Sequence, residues 1–305
     1  MKRMYPTLLA LVLGSACDDA FVKGWLVDRP RVLGARIEAT AEPARASIAA
    51  GEAARVIWLV GAPNGTGRLD WAYALCAPPR GVLPEPRCEG PTLASGSGAS
   101  EGEIVAMDVV APPREALGEA TELLALAAFC EGGAPLLDAR TFEATCPSGA
   151  KPLLASATIR LDSGGANRNP EIAPDAVLLD GAVMPVSTAR VSASCEGGDS
   201  PSVPAGSPHG LTFRFRAEDR EPLPASSAGA ETLIASHVVT AGELERQYSA
   251  LEPAEAAPKE VAIPWTAPAA EEVPAGGSLV ELYFVLRDGR GGLAFARRTV
   301  CVRAL

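Results

Sequence analysis

Short apolar runs of strand length recur along this chain, and turn-forming residues bound nearly all of them. RVIWLV (55–60) is a continuous apolar run, followed by the turn GAPNGTG (61–67). In DWAYALC, Trp71, Tyr73 and Leu75 fall on one face and Ala72, Ala74 and Cys76 on the other, the period-two pattern of a half-buried strand. LTFRFRAED alternates Leu211, Phe213 and Phe215 with Thr212, Arg214 and Arg216, and SLVELYFVLRDGRGGLAFARRTVCV reads as a hairpin turning at 288–292. The 30 glycines and 27 prolines among 305 residues suit strands joined by turns and are too many for a helical bundle. With 48% hydrophobic and 21% charged residues the chain can bury a core. The expected fold class is all-β, with strands packed as sandwiches.

Two stretches are ambiguous. REALGEATELLALAAFC (114–130) has the composition of a helix, yet its second part ends at Glu131-Gly132-Gly133 as a buried strand would. The expectation is a short helix or turn within 114–120 and a strand over 122–130. SGSGASEG (95–102) reads as a flexible turn before the strand EIVAMDVV. The small, polar, Gly-rich segment DSGGANRNP (162–170) marks a division into units 31–163 and 164–305.

Cysteine arithmetic narrows the cellular setting. The chain has seven: Cys17, Cys76, Cys88, Cys130, Cys146, Cys195 and Cys301. No C-x-x-C pair is present and neither histidine lies near a cysteine cluster, so a structural zinc is not expected. At the N-terminus, Lys2 and Arg3 precede the apolar run Leu8 to Leu13, and Gly14-Ser15-Ala16 lead into Cys17. That run is too short to cross a hydrocarbon core of ~30 Å, and it has the size of an export signal. Small residues ending at a cysteine resemble the lipobox of bacterial lipoproteins, although Gly14 stands where that family usually has leucine. The resemblance implies a signal peptide over 1–16, lipidation of Cys17, a tether over 17–30, and a place in the bacterial cell envelope, periplasmic or surface-exposed, with inner and outer membrane both open. Six cysteines then remain, an even set suited to an oxidising compartment. Spacing suggests Cys76 with Cys88, Cys130 with Cys146, and Cys195 with Cys301. The rival pairing joins Cys76 to Cys130, since both end strand-like runs, and the sequence leaves the choice open.

The second unit carries Asn169-Pro170 at its entry, Val239-Thr240-Ala241-Gly242, Trp265-Thr266-Ala267-Pro268, and Arg287-Asp288-Gly289-Arg290-Gly291-Gly292 before its last strand. This order resembles immunoglobulin-like and PKD-like domains of envelope lipoproteins in myxobacteria-like organisms. It departs from the antibody pattern in lacking the Cys…Trp…Cys spacing. The resemblance implies two immunoglobulin-like β-sandwich domains in tandem, 31–163 and 164–305, the first assigned mainly from its strand pattern.

No motif in the chain points to catalysis. A formal charge of −10 argues against nucleic acid as a partner, and two histidines leave little for imidazole chemistry. Gly98-Ala99-Ser100-Glu101-Gly102 fits G-x-S-x-G, but a nucleophile elbow needs a strand before the serine and a helix after it, and here a Gly/Ser stretch precedes and a strand-like run follows. Gly198-Asp199-Ser200, with His209 nearby, lies in a turn-rich loop rather than a framework that would align a triad. His237 reads as a strand residue, and GAPNGTG lacks the Gly-Lys-Ser/Thr ending of a phosphate loop. No calcium-loop motif is present; Asp162 at the division is the candidate for calcium. Trp25, Trp58, Trp71 and Trp265 are expected to pack rather than stack on sugars. The expected function is therefore non-catalytic, with no cofactor and no metal: a lipid-anchored envelope protein presenting its domains to an envelope protein or a polysaccharide. A carbohydrate- or calcium-binding sensor is the alternative, and a hydrolase comes third.

Overall fold

The computed structural model describes residues 23–79, 86–162, 167–187, 195, 200–223 and 230–304. Its first half contains β1 (Arg31–Ala39), β2 (Ser47–Ile48), β3 (Ala53–Gly61), β4 (Arg68–Cys76), β5 (Ala94–Glu101), β6 (Ile104–Val110), the single turn α1 (Arg114–Leu117), β7 (Glu122–Cys130), β8 (Leu136–Asp138), β9 (Glu143–Thr145) and β10 (Leu153–Leu161). Sheet β1-β3-β6 packs on sheet β2-β10-β7-β4-β5. Between them Ile37, Val56, Leu123 and Ile159 surround Trp58, whose ring meets Phe129 edge-on at 5.9 Å.

The ambiguous stretch forms a short helix and then a strand, and the packing explains its continuous apolar character. Strand β7 is central and covered on both faces. Leu123, Ala125, Ala127 and Phe129 enter the core between the sheets. Leu124 and Leu126 face outward but lie beneath a cover with Ala74, Cys76, Cys88 and Ala139. The cover is the β8–β9 hairpin and its flanking loops, fastened by disulfides Cys76–Cys88 and Cys130–Cys146. The Cys76–Cys130 alternative does not form.

Strand β5 corrects the expectation of a flexible turn at 95–102. Its Gly/Ser composition signals a turn, but it pairs with β4 from Ala94 to Glu101. The reason lies on β4. A Cβ on Gly96 would come 2.7 Å from the Tyr73 ring, and one on Gly98 would come 2.5 Å from the Trp71 ring. The two rings fill the space a side chain would take at the glycines, and Trp71 Nε1 donates to Ser100 Oγ at 3.3 Å. Aromatic cover from the neighbour thus supplies what the strand's own side chains cannot.

The second half contains β11 (Val177–Leu179), β12 (Ala182–Val183), β13 (Ser202–Pro204), β14 (Pro208–Phe215), β15 (Leu233–Val239), β16 (Glu243–Leu244), β17 (Tyr248–Leu251), β18 (Lys259–Thr266), β19 (Ser278–Arg287) and β20 (Leu293–Arg303). Sheets β12-β11-β14-β18-β16 and β13-β20-β19-β15-β17 enclose Phe213, Phe215, Trp265, Leu282 and Phe284. Cys195 bonds Cys301 of β20, beside the parallel pairing of β13 with β20. Among the described strands, no sheet mixes the two halves.

The halves meet along a buried apolar seam of Val27, Leu33, Leu59, Tyr283, Val285 and Leu293. Residues 23–30 do not behave as the expected tether. Val27 N–H donates to Val239 O, and Val239 N–H donates to Trp25 O, both at 2.8 Å, so this segment continues the sheet where β17 stops. The expected division at 162–170 is likewise pinned in its described part. Asn169 Nδ2 donates to Ile37 O of β1 at 2.7 Å, while Asn169 Oδ1 accepts from Leu293 N–H of β20 at 3.0 Å. Asn167 Nδ2 donates to Asp288 Oδ2 at 2.8 Å, and Asp288 Oδ1 closes its own turn by accepting from the Gly292 and Arg290 amides. Asn169 and the 287–292 segment, far apart in sequence, therefore meet as one latch between the halves. Replacing Asn169 by Ala leaves a buried carbonyl and a buried N–H unpaired. The expected loss is about 2 kcal/mol, read by urea denaturation as two resolved transitions in place of one. A single unshifted transition would show that the latch does not couple the halves.

Candidate functional site

At the open end of the seam, four polar side chains from three elements converge. Glu103 sits in the tight turn between β5 and β6. Glu281 and Tyr283 project from the same face of β19, and Arg297 of β20 lies directly opposite Tyr283. Arg297 pairs with Glu103 Oε1 and lies 3.5 Å from Glu281 Oε1. The fully buried Tyr283 hydroxyl contacts Glu103 Oε2 at 3.0 Å and also bonds Glu281 Oε2.

A phenol has one proton and here faces two carboxylates. Its single proton can serve only one of them at a time, and Arg297 answers the charge of the pair from the other side. Burial pushes the Glu103 carboxyl above its ordinary range, with Arg297 opposing and Glu281 reinforcing. Burial and the two carboxylates also hold Tyr283 strongly in its neutral form.

This cluster floors a cleft of about 370 Å³, lined also by Asn64, Thr66 and Glu101. A raised carboxyl beside an ionised one can mark acid–base catalysis. Here all four carboxylate oxygens of the pair face Tyr283 or Arg297, which ties the β5–β6 turn of the first half to β19 and β20 of the second. The geometry is that of a lock between the halves.

A second constellation forms in the second half. His209 Nε2 lies 2.7 Å from Ser207 Oγ, and its Nδ1 lies 2.8 Å from Asp180 Oδ2, the connectivity of a Ser-His-Asp triad. Ser200 takes no part in it: Ser200 Oγ bonds Thr299 Oγ1 at 2.7 Å, and Gly198 and Asp199 lie outside the described residues. Ser207 Oγ donates to Pro204 O at 2.5 Å. Asp180 can only accept, so the Nδ1 proton of His209 faces it, and the Ser207 hydroxyl divides its single proton between Pro204 O and His209 Nε2, whereas a nucleophilic serine directs its proton to the imidazole alone. Bonds from His209 and the Gly210 amide hold the Asp180 carboxyl below its ordinary range. Asp180 and Gly181 have φ of 51° and 82°, the left-handed pair that a two-residue hairpin turn between β11 and β12 requires. The triad-like array clamps that turn to the start of β14.

The remaining candidates resolve into structure. Asp162 is occupied by Arg45 and Ser47, so a guanidinium stands where calcium was expected. His237 is buried in the core, and Ser100 lies within β5 with a turn into β6 after it rather than a helix. Trp58 and Trp265 are fully buried, while Trp25 and Trp71 pack at the core margins. Among the described residues no three His, Cys, Asp or Glu side chains converge as metal ligands, and no helix is long and apolar enough to cross a membrane. Cys17 lies outside the described residues.

Fold and side-chain chemistry together define an all-β, disulfide-bonded protein whose prominent polar clusters hold its parts together. No protein-family model and no curated protein matches the chain. Among solved structures it is similar to red sea bream transglutaminase, at 12% identity and a TM-score of 0.26 over 90% of this chain and 32% of that one. The chain thus spans about a third of that protein, and a likeness at this level carries no argument about function.

Proposed function

We propose that this is a lipid-anchored, non-catalytic protein of the bacterial cell envelope, presenting two immunoglobulin-like sandwiches to an envelope protein or polysaccharide. The observation that carries the reading is the use of cysteine. Six of the seven cysteines pair with one another, and the one left over is Cys17 at the end of the lipobox-like segment. Three disulfides suit an oxidising compartment. A thiol excluded from all of them is available to an acyl group. The two-layer sheet pairs support the immunoglobulin-like reading, and rigid sheets with exposed edges and loops suit presentation.

Intact-mass analysis of the exported protein tests the anchor. The wild type is expected to be cleaved before Cys17 and to carry acyl mass, and Cys17→Ala to lose it and leave the membrane fraction. An unacylated wild-type protein overturns the reading. Cross-linking in cells then separates a protein partner from a glycan one, and a thermal-shift screen with glycans and calcium separates presentation from sensing.

A further inference from the structure

The edge strand β5 lacks the defences that sheet edges usually carry. Several other edges have them or are partly covered. Strands β12 and β17 are two and four residues long, while the short strands β2, β16 and β13 cover only the ends of β10, β18 and β20. Strand β1 has a register shift between Val32 and Gly34 and carries Arg31, Arg36 and Glu38. Strand β6 carries Asp108, whose backbone carbonyl accepts a hydrogen bond from the Tyr73 hydroxyl at 3.2 Å. Strand β5 runs eight residues in unbroken register, has no proline, and carries a charge only at its last residue, Glu101.

We infer that β5 pairs antiparallel with β5 of a second copy of this chain, joining two five-stranded sheets into one. Hydrogen-bond parity supports a symmetric pairing. Gly102 N–H donates to Gly67 O, so even-numbered residues of β5 face β4 and the N–H and C=O groups of 95, 97, 99 and 101 face away. A two-fold axis at Gly98 sets Ser97 opposite Ala99 of the second copy and Ser95 opposite its Glu101. All of these positions are odd-numbered, so donors meet acceptors on both strands. The side chains that meet on the outer face are exposed, and all but Glu101 are small.

Charge selects the same register. Arg140, on the β8–β9 hairpin, borders the groove that runs along Ser95 and Ser97. Its neighbour Asp138 caps the turn by accepting from the Arg140 amide at 2.8 Å. A two-fold at Gly98 brings the second copy's Glu101 to Ser95, beside Arg140.

Sedimentation equilibrium on the full-length Cys17→Ala protein tests the inference, since removing the acyl site separates this association from any caused by lipid. The expected result is a dimer. Ala99→Pro removes an outward N–H without touching the β4 ladder and should give a monomer with an unchanged circular dichroism spectrum. Arg140→Glu, on an exposed hairpin, should weaken the dimer about tenfold, and Glu101→Arg in the same chain should restore it. Should Ala99→Pro unfold, the charge reversal and its rescue decide alone. A monomeric parent protein, or a dimer indifferent to both the proline and the charge reversal, overturns the proposal. So does a monomer that binds extended peptides at this edge.

Discussion

Lowering the pH from 7 to 4.5 is expected to remove roughly 2–3 kcal/mol of stability through His237 alone. The imidazole is 1% exposed, with the rings of Phe213 and Phe284 at 5.9 and 5.6 Å. Nε2 bonds Ser249 Oγ at 2.8 Å, and Nδ1 has no hydrogen-bond partner. A proton on Nδ1 would be a buried donor with nothing to accept it. Burial, assisted by the charge of Arg246, pushes the pKa from 6.5 down to about 3. Above pH 6.5 the residue is neutral whether the chain is folded or not and contributes no pH dependence. Below it the unfolded chain takes up a proton that the folded chain refuses, so stability falls steadily until about pH 3. Urea denaturation at both pH values, on the wild type and on His237→Gln, isolates this effect. The variant should lose less between pH 7 and 4.5, by the stated amount. Equal losses in the two proteins would mean that His237 titrates normally in the fold.

Removing the Cys195–Cys301 bridge is expected to cost more. The bond joins residues 106 apart and encloses most of the second half, whereas Cys76–Cys88 spans 12. In the chain-entropy model the long loop contributes about 4.7 kcal/mol and the short one about 3. The Cys195→Ala/Cys301→Ala double variant should therefore unfold at markedly lower denaturant than Cys76→Ala/Cys88→Ala, under non-reducing conditions. The reverse order would show that the small cover over β7 matters more to stability than closure of the second half.

Strand positions were legible wherever one residue's chemistry reports its own environment. The alternation in 71–76 and 211–216 places strands because each side chain chooses between core and water. Strand β5 was not legible, because what makes it a strand is written in Trp71 and Tyr73 on its neighbour. The Glu103 cluster was hidden by distance, with Tyr283 and Glu103 separated by 180 residues. The available signal was a charged Glu281 within an otherwise apolar run, since a buried carboxylate needs a partner. Likewise, the Ser207–His209 contact was hidden because its third member, Asp180, lies in the β11–β12 turn, 29 residues away.

The docking of residues 25–27 against β15 fixes how high such a molecule could stand above a bilayer. For a chain held by lipid at Cys17, the anchor would stand six residues before Lys23, the first described residue. Six residues, fully stretched, reach no more than ~20 Å. Lys23 bonds Glu243, and four residues on Val27 enters the seam between the halves, so on that reading the body of the molecule would ride close to the lipid surface, like a bracket screwed on near its elbow. If Cys17 carries the anchor, ligands would have to come to the membrane plane to meet the protein.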